Sequence, residues 1–403
     1  MVKVIVIGGG IGGLTLARAC LDAGLAVEVY EKRPLEEMLS GPGGIFLQRN
    51  ATRVYEVLRD GELHVKLYER GGTIRDGGFF SSRGKPLYLN SPKFIGADNL
   101  GVCLLRPELQ RILYESLPSG TVKVGYPFEN FEEREETVRV VFGNGTSVEG
   151  NVVVGADGLY SKVRARLEGA ERLEPPVYSG TCCWRGYFEG SALALDRRYS
   201  WAEFWGRGDR FGYFDVGRGR FSFYAFANTP PGGNDEAGGG SLAVLKALFS
   251  NYADPVPAIL EVLGDRPIYR DDIFDREPLA GAWGRGRVTL IGDAAHPVQP
   301  NLGQGGCMAI EDAYELARRL ASLGREGSVP GALRQFEAGR RERVTRVFAI
   351  SRQVGLLGNA EHPLACSLRN WLYRLTPAWL ADRQFKWLFD YVPEPLDPRV
   401  PDR

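Results

Sequence analysis

A glycine-rich turn near the N-terminus constrains the fold more than any other feature of this 403-residue chain. Residues 2–7 form an apolar run, which is typical of a parallel strand buried on both faces. The fingerprint Gly8-x-Gly10-x-x-Gly13 follows directly, and residues 11–23 have the small and apolar composition of a helix. A strand, a glycine turn and a helix in this order predict the first part of a βαβ unit.

Each glycine of this fingerprint has its own physical reason. Gly8 permits a tight turn, Gly10 lets the backbone approach a pyrophosphate, and Gly13 lets the helix pack closely on the strand. The N–H groups and dipole of the helix N-terminus favour phosphates. Glu31 ends a second predicted strand, residues 26–31, where a carboxylate can accept hydrogen bonds from ribose hydroxyls. The pattern predicts dinucleotide binding but does not distinguish FAD from NAD.

Two later motifs favour a flavin. A predicted strand at 287–291 leads into Gly-Asp-Ala-Ala-His-Pro, which contains Asp293, and a glycine loop follows at 300–306. An acid beside a glycine at a strand end can accept a hydrogen bond from a sugar-chain hydroxyl. The glycine loop at 300–306 precedes a predicted helix, so its N–H groups and the helix dipole suit the N1–C2=O edge of a reduced isoalloxazine ring.

A further motif follows the apolar residues 152–154, namely Gly-Ala-Asp-Gly-x-x-Ser-x-Val-Arg, which contains Asp157 and Arg164. Together with the fingerprint and Gly-Asp-Ala-Ala-His-Pro, it resembles the motifs of the class A flavoprotein monooxygenases, which have the para-hydroxybenzoate hydroxylase fold. The similarity spans about residues 2–325, and its last motif is most similar to zeaxanthin epoxidases and bacterial urate hydroxylases. The resemblance implies that FAD is bound by Gly8, Gly10, Ile11, Gly12, Gly13, Glu31, Lys32, Gly44, Ile45, Arg106, Phe128, Asp157, Asp293, Pro300, Gly303, Gln304, Gly305, Gly306 and Cys307.

The expected architecture is an α/β fold with a Rossmann-like FAD-binding domain, an inserted, mainly antiparallel β-sheet substrate domain and a C-terminal helical segment. Aromatic residues in period-2 patterns between about 175 and 275 predict the inserted sheet. The aromatic stretch from Trp371 to Tyr391 is expected to pack over the core, with a contact to lipid or to a partner as the alternative. We predict an FAD-binding domain of residues 1–75, 103–170 and 275–345, a substrate domain of 76–102 and 171–274, and a helical segment of 346–403.

The resemblance also implies the reaction. NADPH or NADH reduces FAD, O₂ adds to the reduced flavin, and a C4a-hydroperoxide transfers oxygen to a small aromatic or heteroaromatic substrate. Two alternatives stay open: an epoxidase of an apolar, carotenoid-like alkene, and a catalytically idle FAD-binding protein that shields a ligand. The aromatic inserted sheet suits a flat substrate. Its candidate substrate contacts are Arg185, Arg210, Tyr213 and Tyr224, with Trp184 and Trp205 as further candidates.

The composition of the chain limits the kinds of partner that it can be expected to bind. Fifty basic residues balance fifty acidic ones, so no electrostatic argument for nucleic-acid binding exists. Six cysteines without C-x-x-C spacing and only three histidines predict neither a disulfide framework nor a metal site. The chain contains no signal-peptide pattern and no run of about 18 apolar residues. We expect a cytoplasmic monomer or homodimer without a membrane span, whose partners are a small-molecule substrate and O₂.

Overall fold

Strands occupy the first three quarters of the chain, whereas the last part is helical. The computed structural model describes residues 2–41, 43–90, 101–169, 174–193, 195, 199–323 and 327–396. The strands are β1 (Lys3–Ile7), β2 (Ala26–Glu31), β3 (Gly44–Leu47), β4 (Gly72–Thr73), β5 (Gly77–Ser81), β6 (Pro86–Asn90), β7 (Val102–Leu105), β8 (Val122–Val124), β9 (Phe128–Glu133), β10 (Val138–Phe142), β11 (Ser147–Gly150), β12 (Val152–Gly155), β13 (Val177–Glu189), β14 (Trp201–Trp205), β15 (Asp209–Asp215), β16 (Arg220–Asn228), β17 (Tyr269–Asp275) and β18 (Val288–Leu290). The helices are α1 (Ile11–Asp22), α2 (Leu35–Met38), α3 (Arg49–Val57), α4 (Glu62–Arg70), α5 (Arg106–Glu115), α6 (Lys162–Glu168), α7 (Ser241–Phe249), α8 (Val256–Val262), α9 (Gly305–Ala321), α10 (Val329–Gly358), α11 (Pro363–Leu375) and α12 (Ala378–Phe389).

The N-terminal apolar run forms the central strand of a parallel sheet with the order β18-β12-β1-β2-β8. Ile7, the last residue of β1, pairs with Gly155 and Tyr30, so neighbouring strands end at the same level. The strands are apolar along their length because helices, including the contacting pair α1 and α9, cover the sheet. The predicted Rossmann-like sheet is confirmed. Its carboxyl edge carries all three glycine-containing turns.

A second sheet is inserted into this arrangement. It has seven strands in the order β17-β13-β16-β15-β14-β5-β6, antiparallel except where β14 pairs with β5. One of its faces forms a separate core with α7 and α8, where Phe211 and Phe223 stack on each other with ring centroids 5.7 Å apart. The prediction of an inserted, mainly antiparallel sheet is confirmed.

The chain segments assigned to the substrate domain both contribute strands to this sheet. β5 and β6 come from 76–102, and β13 to β16 with most of β17 come from 171–274. The boundaries between the domains stay a prediction. Of the predicted segments, residues 91–100, 170–173 and 397–403 lie outside the described residues.

The C-terminal helices are packed unevenly. Leu388 of α12 is buried in the main core, and Phe385 and Trp387 pack against that core. By contrast, Trp371 of α11 and Trp379 of α12 are exposed. The predicted packing of the aromatic stretch therefore holds for residues 385–391 and for Tyr373, whose ring centre lies 4.8 Å from that of Trp205, but not for Trp371 and Trp379. Across the described parts of the chain, every helix is too short or too polar to cross a membrane.

The close contact between α1 and β1 gives a test of the fold. A Cβ atom at Gly13 would collide with the carbonyl oxygen of Gly8, whereas one at Gly10 would meet no atom within 4 Å. We expect Gly13→Ala to lower the free energy of unfolding of the FAD-free protein by roughly 1–3 kcal/mol, because the backbone must shift. Gly10→Ala, the matched control, should change it by less than about 1 kcal/mol. Urea unfolding followed by circular dichroism measures both, and equal losses would contradict this packing.

Candidate active site

A deep crevice lies along the carboxyl edge of the parallel sheet and continues beneath the inserted sheet. Its volume is about 1600 Å³, and it brings together residues from strand ends that are far apart in sequence. Of the residues predicted to bind a cofactor, the crevice is lined by Gly8, Gly10, Ile11, Gly12, Glu31, Lys32, Gly44, Ile45, Arg106, Phe128, Asp157, Asp293, Pro300, Gly303, Gly305 and Gly306.

The first turn of the crevice is a backbone cradle at the start of α1. Gly8 adopts φ +114°, and a Cβ there would collide with the carbonyl oxygen of Ala156. Gly10 is the N-cap of α1, and its side without a Cβ borders open space. The first N–H groups of the helix therefore face the crevice without obstruction, which is the arrangement that binds phosphate groups.

Glu31 closes one side of this cradle. Its carboxylate accepts a hydrogen bond from the backbone N–H of Gly9 at 2.8 Å and two from Arg33, from the backbone N–H at 3.0 Å and from Nε at 2.9 Å. Burial alone would raise the pKa of Glu31, but the hydrogen bonds from Arg33 and Gly9 outweigh burial and lower it. The carboxylate is therefore held ionised as a hydrogen-bond acceptor.

Asp157 lines the crevice but is already engaged with the helix that follows it. Its carboxylate accepts hydrogen bonds from the Ser161 hydroxyl at 2.5 Å and from the backbone N–H groups of Lys162 at 2.8 Å and Val163 at 3.2 Å. These contacts cap α6. Arg164, which belongs to the same motif, is buried and pairs with Glu168 at 2.7 Å, away from the crevice. A cofactor contact by Asp157 stays a prediction.

Asp293 is different because it accepts no hydrogen bond from any residue that the structure describes. Its side chain is exposed on the wall of the crevice, where protein atoms surround it on most sides. Burial therefore raises the pKa of Asp293, and the nearby His296 and Arg106 offset this rise only in part. Burial likewise lowers the pKa of the Arg106 guanidinium, which Asp293 partly offsets. Two opposite charges thus face the crevice from β18 and α5.

A buried charge network holds these turns in place. The Asp312 carboxylate of α9 accepts hydrogen bonds from the backbone N–H of Gly292 at 3.0 Å and from Arg340 Nε at 2.7 Å, and it lies 2.6 Å from His296 Nε2. Burial would raise the pKa of Asp312, but His296 and Arg340 lower it to about 2. His296 is therefore a structural residue of this network.

Three of the predicted cofactor residues do not line the crevice. Gly13 of α1 packs against the backbone of Gly8. The buried Gln304 side chain accepts a hydrogen bond from Asn50 at 3.0 Å. Cys307 is buried, its thiol donates to the carbonyl of Phe46 at 3.5 Å, and burial raises its pKa to about 12. Cys307 is therefore not a nucleophile. Any cofactor contact of these three residues stays a prediction.

On the inserted sheet, the predicted substrate contacts Arg185, Arg210 and Tyr224 lie on the face that lines the crevice. Tyr213 borders the crevice, but its ring lies on the other face of the sheet, in the core with α7 and α8. Trp184 and Trp205 do not line it, because their rings pack on the sheet and their indole N–H groups donate to Asp235 at 2.6 Å and to Glu203 at 2.8 Å.

Glu203 also lines the crevice, and the sequence analysis did not predict it. Its buried carboxylate receives Arg210 at 3.1 Å and the Tyr224 hydroxyl at 2.6 Å, in addition to Trp205. Burial, and then Glu203, raise the pKa of Tyr224 well above its usual range. Arg210 also stacks over the Phe226 ring at 4.3 Å. The sequence did contain one signal, because Glu203 is the single acid in the otherwise apolar strand Trp201–Trp205. Period-2 alternation puts it on the same face as the two tryptophans, which is not a solvent-facing side.

The comparisons with known proteins agree with this geometry. A family described as FAD binding domain matches residues 1–179 and 268–351, which flank most of the inserted sheet and contain the three glycine turns. The chain belongs to the class A flavin monooxygenases. FAD is therefore the cofactor of this flavin monooxygenase.

The relatives of this flavin monooxygenase are named for different activities. The aurachin C monooxygenase/isomerase of Stigmatella aurantiaca is 34% identical over 394 residues, which cover 97% of this chain and 98% of the relative. The chloroplastic zeaxanthin epoxidase of an Oncidium hybrid cultivar is 33% identical over 376 residues, covering 90% of this chain but 56% of the epoxidase. The crystal structure of Klebsiella pneumoniae HpxO with FAD and uric acid is 28% identical, with a TM-score of 0.85 and coverage of 97% and 96% of the two chains.

The residues that line the crevice of this flavin monooxygenase are themselves suited to FAD. The backbone cradle at Gly10 would suit a pyrophosphate, and the carboxylates of Glu31 and Asp293 face the crevice at separate strand ends. Among the described residues, no group of three or more His, Cys, Asp or Glu side chains is arranged to hold a metal ion.

The free carboxylate of Asp293 predicts a trade-off between stability and binding. Because its pKa in the folded protein is raised, ionised Asp293 destabilises the FAD-free fold above the unfolded pKa of about 4, and this cost disappears once both states are protonated. We expect FAD-free Asp293→Asn to unfold at a higher temperature than the unaltered protein at pH 7, with no difference below about pH 4. FAD affinity should fall by roughly tenfold to a hundredfold.

Glu31→Gln is the matched control for this prediction. Burial would raise the pKa of Glu31, but the hydrogen bonds from Arg33 and Gly9 lower it, so its ionised form stabilises the fold and this substitution should lower the unfolding temperature at pH 7. Differential scanning calorimetry and flavin titration measure both variants. If Asp293→Asn kept its FAD and lost stability, Asp293 would be a structural residue.

Proposed function

We propose that this chain is an FAD-dependent monooxygenase that uses NADPH or NADH and O₂ to oxygenate a small aromatic or heteroaromatic ring with polar substituents. The observation that carries the proposal is the cluster of Glu203, Arg210 and Tyr224, which is set in an aromatic wall opposite the glycine turn before α9. Aromatic surfaces favour a flat ring, and a few convergent polar groups fix its orientation.

The proposed cofactor contacts divide the crevice into an adenosine end and a flavin end. Gly8, Gly10 and Glu31 would hold the pyrophosphate and ribose, and Arg106 and Asp293 would hold the chain that leads to the ring. The turn that includes Gly303, Gly305 and Gly306 would present N–H groups to the ring itself. When bound, FAD supplies the redox chemistry that activates O₂.

The protein's own contribution is to position the substrate and to exclude water. Phe226, Phe214 and Tyr224 line the ring side of the crevice, so a substrate there would displace water from an aromatic surface. Because the Glu203 carboxylate compensates the charge of Arg210, the cluster offers polar contacts without a free cation. We infer that uncharged polar rings are preferred to carboxylated ones. The uric acid in the HpxO structure supports a heteroaromatic substrate of this size.

A second candidate function is the epoxidation of an apolar alkene. The observation that favours it is the outer part of the crevice, which is lined by the exposed side chains of Leu357, Leu372 and Trp379. The match to zeaxanthin epoxidases supports the same candidate. The polar cluster at the inner end distinguishes the two, because an apolar alkene would leave its hydrogen-bonding groups without partners.

The test is substrate-stimulated NAD(P)H oxidation with O₂ consumption and peroxide measured in parallel. Uncharged heteroaromatic rings should stimulate oxidation more than their carboxylated counterparts, with little peroxide. Glu203→Gln should leave the Arg210 cation uncompensated and shift the kcat/KM ratio toward carboxylated rings by about tenfold. Glu261→Gln is the matched control, because Glu261 is an exposed residue of α8 that does not line the crevice. It should leave the ratio unchanged.

Three results would count against the proposal. An unchanged ratio in Glu203→Gln would remove the cluster from substrate selection. Stimulation only by apolar alkenes would favour the epoxidase. If FAD is bound but no compound stimulates NAD(P)H oxidation, the chain is the idle flavoprotein that binds and shields a ligand.

A further inference from the structure

Helix α11 has its apolar face turned outward. Leu364, Leu368, Trp371 and Leu375 recur at helical spacing on one side, and each is more than half exposed. A surface helix of a globular protein normally buries such a stripe against the core. A contiguous exposed apolar surface of this kind marks a binding face.

The opposite face of α11 fixes this orientation. Cys366 and Arg369 are buried there, although a cation is the residue type expected on the solvent side. The Arg369 guanidinium donates to the carbonyls of Gly358 at 2.9 Å and Gly206 at 3.0 Å and lies 5.1 Å from the ring centre of Trp205. The helix therefore cannot rotate its apolar stripe inward without leaving this cation unpaired.

The surroundings of the stripe are basic. Residues 363–389 contain four basic residues and one acidic residue; of the basic ones, Arg369 is buried and Lys386 pairs with Asp390, so Arg374 and Arg383 supply the positive charge beside the stripe. Arg374 and Arg383 are exposed, as are Trp379 and Leu380 at the start of α12. Tryptophan and leucine on one side with basic residues beside them is the composition of helices that lie in the headgroup layer of a bilayer.

The apolar stripe is continuous with the crevice. Leu372 lies next to Trp371 on α11 and is exposed, yet it also lines the crevice, as do Tyr373, Thr376 and Trp379. The outer end of the crevice thus opens beside the exposed stripe.

We propose that α11 and the start of α12 dock onto an anionic lipid bilayer, with the stripe in the interfacial layer and the crevice opening toward the acyl chains. Anionic headgroups complement Arg374 and Arg383 and attract basic side chains near the surface. A symmetric contact with a second copy of the chain would instead bring the same basic residues against each other. This docking does not depend on which compound is oxygenated.

The test is vesicle flotation of the FAD-loaded protein. The vesicles consist of about two parts phosphatidylcholine to one part phosphatidylglycerol, with pure phosphatidylcholine as the neutral comparison. The unaltered protein should float with the anionic vesicles, and less so at high salt. Leu368→Glu/Trp371→Glu should raise the lipid concentration for half-maximal binding about tenfold or more. Val65→Glu, at an exposed apolar position on α4, should bind like the unaltered protein.

A second variant and a second measurement keep the test decisive. Arg374→Glu should weaken binding to anionic vesicles and leave binding to neutral ones unchanged. Flavin content and unfolding temperature establish that each variant is folded. Failure of the unaltered protein to float, or equal flotation of Leu368→Glu/Trp371→Glu, would overturn the proposal. So would a concentration-dependent dimer that this variant abolishes, because the stripe would then bind a second copy.

Discussion

The carboxylate of Asp312 holds together the parts of the molecule that face the crevice. It joins the backbone of Gly292 and the ring of His296, both from the turn after β18, to the guanidinium of Arg340 from α10. Removing such a charge from water is costly unless every partner is present. The network therefore permits essentially one arrangement of the β18 turn relative to α9. That arrangement places Asp293 at the crevice.

The inserted sheet is fixed to the same turns by polar contacts. Arg210 of β15 donates to Asn301 at 2.5 Å, just before the glycine turn that begins α9. The Ser222 hydroxyl of β16 accepts the backbone N–H of Gly44 at 2.7 Å on the other side of the crevice. The inserted sheet, which is the proposed substrate-binding wall, is thus positioned by residues next to the turns that would face the flavin. This coupling is how one cavity can serve both a cofactor and a second molecule.

Local sequence patterns predicted the parts of the structure that depend on near neighbours. The apolar run before Gly8 and the glycines themselves dictate a buried strand and a tight turn, and Asp293 was identified because its motif is local. Glu203 was missed because its role arises only when β14, β15 and β16 align side by side. The capping contacts of Asp157 were local, but the family resemblance favoured a ligand role. The outward stripe of α11 was missed because helical spacing alone does not show which face is buried.

We propose that one FAD molecule binds along the whole crevice, from the cradle at Gly10 to the turn that begins α9. A crystal structure of the protein purified with its own flavin tests this most directly. We predict an adenosine ribose beside Glu31, a ribityl hydroxyl bonded to Asp293, and the isoalloxazine ring between Gly305 and the inserted sheet. A flavin bound outside the crevice, or one that leaves the Asp293 carboxylate without a contact, would contradict the account.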